Sequence, residues 1–529
     1  MKSTSPVPVP EQETRSTLVD VFADSVVRRP DGIAVSDGTA QLTYRQLDTW
    51  SRRIARRLRE RGVAPGDRVA LRMEAGCDAV AAILGILRSG AAYVPLDLRN
   101  PAERNEFVVA DSGARHLVGE PAPSWGARLA CTTTDEVASL RSGPVSGPPE
   151  TEPVPPQAAP TADSPAYVIY TSGTTGVPKG VPVRHGSVVT LLDTTHGLFD
   201  FGPSDRWLLF HSLAFDFSVW EVWGALSTAA TLVVPPQWVT RAPEQLLELL
   251  ADERITVLNQ TPTAFAMLLR TRGSDGRDLP DLRYVVFGGE KLTPAVLRDW
   301  ADAHGLDRPK LVNMYGITEV TVHATFHRVT RSDADGSTSV IGAPLPGFTV
   351  RIVDRNGAEV KDPGTPGELW LAGPQVTEGY LNRPELNAER FAVFPPGPDG
   401  GRYYRSGDLV STTEDGELAY HGRADLQVKL RGHRVELGDI ENAVRSHPCV
   451  VEAIAWPRAS AGGAQRLFCV LLAREGELPD VRELRRHVAA KLPSYMQPAR
   501  YQVVTELPRT VNGKIDRDAL VKEWEENHD

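Results

Sequence analysis

Residues 171 to 180 read TSGTTGVPKG, a run built to receive phosphate. Gly173, Gly176 and Gly180 admit backbone conformations with φ > 0 and let the chain approach a ligand closely. The hydroxyls of Thr171, Ser172, Thr174 and Thr175, with the amide N–H groups between them, suit phosphate oxygens, and Lys179 adds a point charge. The spacing is not that of a Walker A loop, in which the lysine directly follows a glycine and precedes Ser or Thr. Here Lys179 follows Val177-Pro178. A Gly/Thr-rich surface loop would share the composition but not the attached Pro178-Lys179-Gly180. More than three hundred residues later, Asn512-Gly513-Lys514 places a second lysine on a turn-forming pair. Together these two segments point to chemistry on a phosphorylated substrate.

The elements that must position them follow from composition and periodicity. A chain of 529 residues divides into roughly three or four units of ~150 residues with ample core. Its net charge, 58 − 68 = −10, argues against a nucleic acid or an anionic membrane as the main partner. Cys77, Cys131, Cys449 and Cys469 are scattered without a CxxC pair, so neither a disulfide framework nor a zinc site is indicated. The N-terminal MKSTSPVPVPEQETRS lacks an apolar signal region. The apolar stretch from Ala79 to Val94 is interrupted by Arg88 and is too short to span a bilayer. A cytoplasmic protein is expected.

Residues 1–14 are Pro-rich and expected to be disordered. Leu47, Trp50, Ile54 and Leu58 recur at helical spacing and stop before Gly62. VALRM (69–73) and AYVPL (92–96) read as strands flanking a helix from Asp78 to Arg88. Strand and helix alternate in this way to about residue 350, the pattern of α/β layers with mostly parallel sheets. The Pro/Gly/Ser/Glu-rich stretch 142–162 reads as a linker. The strand AYVIY (166–170) then delivers the phosphate loop. Near Gly422 the chain passes into a short C-terminal unit of roughly a hundred residues.

A series of motifs in fixed order resembles the adenylate-forming superfamily, and more closely the adenylation domains of nonribosomal peptide synthetases. They are LTYRQL (42–47), ILRSGAAYVPLD (86–97), YTSGTTGVPKG (170–180), FDFSVWE (215–221), NMYGITE (313–319), GELWLAG (367–373) with EGYL (378–381), YRSGDL (404–409), GRADLQVKLRGHRVELGDIE (422–441), LPSYMQP (492–498) and NGKIDR (512–517). The resemblance covers nearly the whole chain. It implies an N-terminal adenylation core (15–424) carrying the ATP and amino-acid site, and a small mobile α+β subdomain (425–529). Ile317 stands where the family usually has proline, and Ser406 replaces a usual threonine.

The implied reaction is attack of a carboxylate on the α-phosphate of ATP, giving an acyl-adenylate and pyrophosphate. Cations and preorganised donors should dominate such catalysis. By resemblance, Lys514 reaches the substrate carboxylate and the α-phosphate side, and Glu319 ligates Mg²⁺, which favours one or two carboxylates plus phosphate oxygens. Asp408 accepts the ribose hydroxyls, with Arg423 nearby. Tyr315 stacks on adenine, Asn313 meets its edge, and Thr318 belongs to the same nucleotide set as the 171–179 loop. Asp425 is the implied hinge, and Lys429 lies on a loop brought in for the second step. In that step a carrier protein's phosphopantetheine thiol attacks the adenylate.

The resemblance puts the amino-acid pocket at Asp216, Phe217, Trp220, Asn259, Val286, Gly288, Met314, Val322, His323 and Lys514. A carboxylate in an apolar pocket is costly by several kcal/mol unless paired, and a substrate ammonium would pair Asp216. Phe217, Trp220 and Met314 make a small apolar cavity in which Asn259 and His323 are the polar exceptions. The set resembles that of threonine-activating members, with serine, 2-aminobutyrate and valine as competitors. Groups dedicated to a hydroxyl can reject an analogue lacking it by ~10⁴, whereas an apolar pocket separates valine from threonine only about a hundredfold. No carrier-protein serine motif and no HHxxxD motif occurs in the sequence, so a free-standing enzyme loading a separate phosphopantetheinylated carrier protein is expected. Some members also require a small MbtH-like partner. The alternatives are an acyl- or aryl-CoA ligase of the same superfamily, which Asp216 disfavours, and a non-catalytic amino-acid or nucleotide-binding module, which the presence of Lys514, Glu319 and Asp408 disfavours.

Overall fold

The computed structural model describes residues 15–122, 125, 129–142, 159–172, 177–275, 279–393, 401–424, 427–430, 433–459, 465–474, 479–508 and 517–526. The phosphate loop hangs from a six-stranded sheet in the order Ala130–Thr132, His116–Gly119, Arg68–Arg72, Ala92–Pro95, Pro165–Thr171, Lys179–Arg184. Its strands are parallel except the last pair, which is antiparallel. The loop therefore joins two paired strands, not a strand and a helix as in a P-loop NTPase.

The periodicity of Leu47, Trp50, Ile54 and Leu58 resolves into the helix Tyr44–Glu60, opened by a capping box between Thr43 and Gln46. All four side chains are buried. This helix packs on Cys77–Arg88 at Gly85, where a Cβ would lie 2.4 Å from Ile54 Cγ2. Only glycine permits that approach. Arg88, which interrupts the apolar run, is itself buried and pairs with Asp48 at 2.5 Å. Burial pulls its guanidinium down to about 10 against the opposing pull of Asp48.

The second sheet is larger. Its centre is a parallel run of Ile33–Ser36, Thr231–Val233, Arg206–Leu208, Val257–Gln260, Tyr284–Phe287 and Lys310–Asn313. Asn259 sits opposite Val286, and Phe287 opposite Asn313. Beyond Asn313 the sheet turns antiparallel through Thr325–Arg328, Ser339–Pro344, Leu418–Arg423, Arg402–Thr412, Gly367–Ala372 and Thr349–Val353. Strand and helix still alternate through Thr325–Arg328, Arg331–Asp335 and Ser339–Pro344, so what changes beyond Asn313 is the pairing and not the alternation. Most of the later pairs join strands close in sequence, which antiparallel pairing allows without a crossover helix, but Ser339–Pro344 pairs with the distant Leu418–Arg423.

The C-terminal residues form a hairpin, Gln427–Leu430 with His433–Glu436, and a three-stranded sheet of Val450–Ala459, Gln465–Ala473 and Arg500–Val504. Helices Leu437–Arg445 and Val481–Lys491 cover that sheet through Ile440, Val444, Leu484 and Val488. The whole is an α/β fold with a large sheet-based N-terminal part and a smaller α+β C-terminal part. Among the described residues, no helix is long and apolar enough to cross a membrane.

One ion-pair cluster ties the antiparallel region together. His327 bonds Asp333 through Nε2 at 2.9 Å and Glu417 through Nδ1 at 3.1 Å. Burial opposes its charge, but the hydrogen bonds and charges of Asp333 and Glu417 prevail and raise its pKa. A raised histidine pKa gives stability that is fully present below the unfolded value near 6.5 and is lost as pH rises through the folded value. The difference in thermal midpoint between wild type and His327→Gln should therefore be larger at pH 6 than at pH 9, as read by differential scanning calorimetry.

Candidate functional site

The carboxyl ends of the central parallel strands open into one crevice, the place where open α/β sheets bind ligands. Asn259 comes from Val257–Gln260, Val286 and Gly288 from the end of Tyr284–Phe287, and Met314 from just beyond Lys310–Asn313. The opposite wall is the helix Phe217–Ser227, buried along its whole length. Asp216 occupies its N-cap yet makes no capping hydrogen bond, and it is 5% exposed. Burial first, and then the negative charge of Asp216, push the pKa of the nearby Tyr167 phenol well up. Asp216, Phe217, Trp220, Asn259, Val286, Gly288, Met314, Val322 and His323 are all buried in this region.

The fit within it is close. A Cβ on Gly288 would sit 3.0 Å from Phe217 and 3.3 Å from His323. The His323 ring stands edge-on to Phe217 and Trp220, with centroids 5.1 and 5.3 Å away. The Trp220 indole N–H donates to Asn259 Oδ1 at 3.0 Å. Indole is a donor only, so the Asn259 amide is held with its NH₂ turned the other way. Asn259 Nδ2 and both ring nitrogens of His323 are buried without a partner among the described residues, a costly state unless a ligand satisfies them. Burial, with a smaller push from His211, lowers His323 to about 3. At neutral pH it offers one donor and one acceptor.

Behind this wall lies a pair that the motifs did not single out. Glu221, fully buried, accepts from the His211 backbone N–H at 3.1 Å and bonds His211 Nδ1 at 2.9 Å. The His211 ring stacks on Phe217, with centroids 4.4 Å apart at 18°, and so fixes one face of the pocket.

The segment from Asn313 to His323 carries residues expected for both the nucleotide and the amino-acid site. It doubles back, with the Ala324 and Thr325 N–H groups donating to Tyr315 O. A Cβ at Gly316 would lie 1.9 Å from Val322 O. Thr321 and Val322 have φ of 60° and 68°, strained values for β-branched residues. Residues 375–377 hold this bend. Thr321 donates to Gln375 O at 2.6 Å, Gln375 Nε2 to His323 O at 2.9 Å, and Thr377 N to Glu319 O at 2.9 Å. Gln375 is a positioning residue that no local pattern reveals.

On the nucleotide side, fully buried Asp408 accepts from Tyr315 (2.6 Å), Tyr420 (3.2 Å) and Arg423 (2.9 Å). Burial and the adjacent Asp408 carboxylate raise the Tyr315 pKa well above normal. Ser406 donates to Leu369 O and accepts from Asp408 N–H, the work of the hydroxyl it retains. Asn313 has one amide N–H committed to Val340 O at 2.7 Å, which reduces what it can offer an adenine edge. Ile317 is buried in extended backbone, so the missing proline leaves no break. Thr318 is buried beside Glu319.

Lys179 is not an exposed loop residue. It opens the strand Lys179–Arg184, is 1% exposed and lies 3.6 Å from Glu319, which is fully buried. The hydroxyl of Thr171 is buried without a partner among the described residues, and Ser172 is buried next to it. Gly173, Thr174, Thr175, Gly176, Asp425 and Lys514 lie outside the described residues, as does the Lys429 side chain, although its backbone belongs to Gln427–Leu430. That hairpin carries His433 against Phe215 at 5.8 Å and stacks it on Tyr495 at 3.8 Å. These rings border a cleft between the N- and C-terminal parts, lined also by Asp97, Asn100 and Arg104.

Among the described residues, no cluster of three His, Cys, Asp or Glu could hold a metal by itself. A single buried carboxylate beside a phosphate-suited loop fits magnesium held jointly by Glu319 and a nucleotide.

The chain matches the AMP-binding enzyme family over residues 22–381 and the AMP-binding enzyme C-terminal domain over residues 439–514. It therefore belongs to the AMP-binding enzymes, a class of AMP-forming ligases. Within that class it is homologous to the adenylation domains of nonribosomal peptide synthetases. Syringomycin synthase SyrB1 of Pseudomonas syringae pv. syringae is 41% identical across 95% of this chain and 81% of the relative. The dimodular nonribosomal peptide synthase of Bacillus subtilis (strain 168) is 41% identical across 97% of this chain, but the chain spans 22% of that protein. The solved structure of holo-PA1221, an NRPS protein containing adenylation and PCP domains, superposes with a TM-score of 0.81 at 28% identity, covering 96% of this chain and 84% of that one.

Removing one partner from a buried ion pair leaves an uncompensated charge, so Arg423→Met should cost about 3 kcal/mol, measured by urea unfolding. Tyr315→Phe, which leaves that charge paired, should cost less.

Proposed function

We propose that the protein activates an L-amino acid, L-threonine, as its aminoacyl adenylate and then passes it to the phosphopantetheine thiol of a separate carrier protein. The observation that carries this reading is the set of unpartnered polar atoms, Asn259 Nδ2 and the two His323 nitrogens, inside an otherwise apolar wall. A hydroxyl on a short side chain would satisfy donor and acceptor together. Asp216 at the mouth would pair the α-ammonium, which an acyl or aryl acid lacks.

In the first half-reaction a carboxylate oxygen of the amino acid attacks the α-phosphorus, the bond to the β-phosphate oxygen breaks, and pyrophosphate leaves. Lys514 steadies the substrate carboxylate and the α-phosphate oxygens. Thr171, Ser172 and Lys179 serve the outgoing phosphates, with Gly173, Thr174, Thr175 and Gly176. Tyr315 covers the adenine and Asn313 its edge. Asp408, held by Tyr315, Tyr420 and Arg423, accepts the ribose hydroxyls. Magnesium, held at Glu319, neutralises phosphate charge when bound.

In the second half-reaction the thiol sulfur attacks the acyl carbon, the thiol proton is lost and AMP departs. We take residues 15–424 as the unit that binds and 425–529 as the unit that swings about Asp425 and presents Lys429. The cleft edged by Phe215, His433 and Tyr495 supports a path for the thiol arm. An MbtH-like protein is a possible further partner.

Amino-acid-dependent ATP–pyrophosphate exchange over the twenty standard amino acids and 2-aminobutyrate tests the reading. Threonine should dominate; a dominant valine signal would refute the pocket assignment, and silence even with an added MbtH-like protein would refute the activity. Lys514→Ala should abolish exchange while leaving ATP binding largely intact. Replacing Asn259 and His323 together by leucine should erase the threonine-over-valine preference. Because His323 titrates near 3, its neutral form prevails at working pH. The threonine/valine ratio of wild type should hence stay flat from about pH 6 to 9.

A further inference from the structure

Lys179 and Glu319 form a buried ion pair with an unusual mediator. Nζ stops 3.6 Å from Oε1, whereas the Tyr380 hydroxyl donates to the same oxygen at 2.6 Å. Lys179 donates to that hydroxyl at 3.4 Å and lies 4.6 Å from the centroid of its ring. Behind it, the Tyr404 hydroxyl stands 3.0 Å from the Tyr380 oxygen. The Tyr380 oxygen thus accepts hydrogen bonds from Lys179 and Tyr404, and its own O–H donates to Glu319. Its backbone is clamped from both sides, Tyr380 N to Asn387 Oδ1 at 2.7 Å and Asn387 Nδ2 to Tyr380 O at 2.9 Å. A buried ion pair recovers its desolvation cost only with close geometry. This one is spaced by a hydroxyl, so it contributes little to the fold and is ready to exchange partners.

We propose that Tyr380 is the positioning residue that couples Lys179 to Glu319. While its hydroxyl bridges them, the two charges neutralise each other. Binding of magnesium with the nucleotide phosphates draws them apart: phosphate oxygens take Lys179, the metal takes Glu319, and the Tyr380 hydroxyl stays on Oε1 to keep the carboxylate oriented. Lysine release and metal capture become one event, so ATP affinity depends on magnesium more steeply than independent sites would give. This rests on the reading of Glu319 as metal ligand and Lys179 as phosphate contact.

The test is ATP binding to the full chain by isothermal titration calorimetry, in saturating Mg²⁺ and in EDTA. Tyr380→Phe should shrink the ratio of the two affinities by roughly tenfold, the scale of a hydrogen bond to a charged group, with the loss on the magnesium side. Tyr404→Phe should move it less. Glu319→Gln removes the charge that holds Lys179, so ATP affinity in EDTA should rise severalfold. A purely structural Tyr380 would lower both affinities alike and leave the ratio unchanged, which overturns the coupling. An EDTA affinity that is unchanged or weaker in Glu319→Gln overturns it as well, independently of how Tyr380→Phe folds. Wild type with no magnesium-dependent ATP binding would refute the underlying reading of the site, and the coupling with it.

Discussion

In the proposed function Asn313 to His323 would face three ways at once: toward the adenine and ribose through Asn313 and Tyr315, toward the metal and phosphates through Glu319, and toward the amino acid through Met314, Val322 and His323. A regular strand or helix of this length would send these side chains to one or two faces. The chain instead doubles back, at the cost of two β-branched residues in the left-handed region. Gly316 admits the close approach, and residues 375–377 tie the bend from outside. The proposed nucleotide and amino-acid sites would therefore share one bend. A disturbance at either would be felt at the other through covalent bonds, not through a long chain of contacts.

Four buried carboxylates are handled in four ways. Asp408 is surrounded by two phenols and a guanidinium, leaving its position fixed. Glu221 spends both oxygens on one histidine and so acts as scaffolding. Glu319 shares a loose pair with Lys179 through a hydroxyl. Asp216 stands at a helix start that it does not cap. In the proposed function a cation would meet Glu319 and a substrate ammonium would meet Asp216.

Much of this was legible in the sequence. The helix Tyr44–Glu60 follows from the spacing of four apolar residues, because burial of one helical face leaves a 3.6-residue signature. The expected nucleotide and pocket residues rest on ordered motifs. What stayed hidden depends on contacts between segments far apart in the chain. Nothing local to Tyr380 says that its hydroxyl meets Glu319 sixty-one residues away, or that Gln375 braces His323. Lys179 read as a loop charge because its neighbours are Gly, Pro and Val. Only the pairing of its strand with Pro165–Thr171 turns it inward. The switch to antiparallel pairing beyond Asn313 stayed hidden for a similar reason, since apolar runs of four to six residues do not reveal whether their partner strand is parallel.

The hydrogen bond from Trp220 to Asn259 makes those two positions a single unit of inheritance. The asparagine amide is symmetric in shape but opposite in polarity at its two ends, and the indole decides which end would meet the proposed substrate. Loss of the indole donor would leave Asn259 free to rotate and exchange a donor for an acceptor with no change in its own codon. A lineage drifting at residue 220 could thus reverse what the cavity recognises while residue 259 looks untouched. Inferring the substrate of a relative position by position would then mislead unless these two residues are read as a pair.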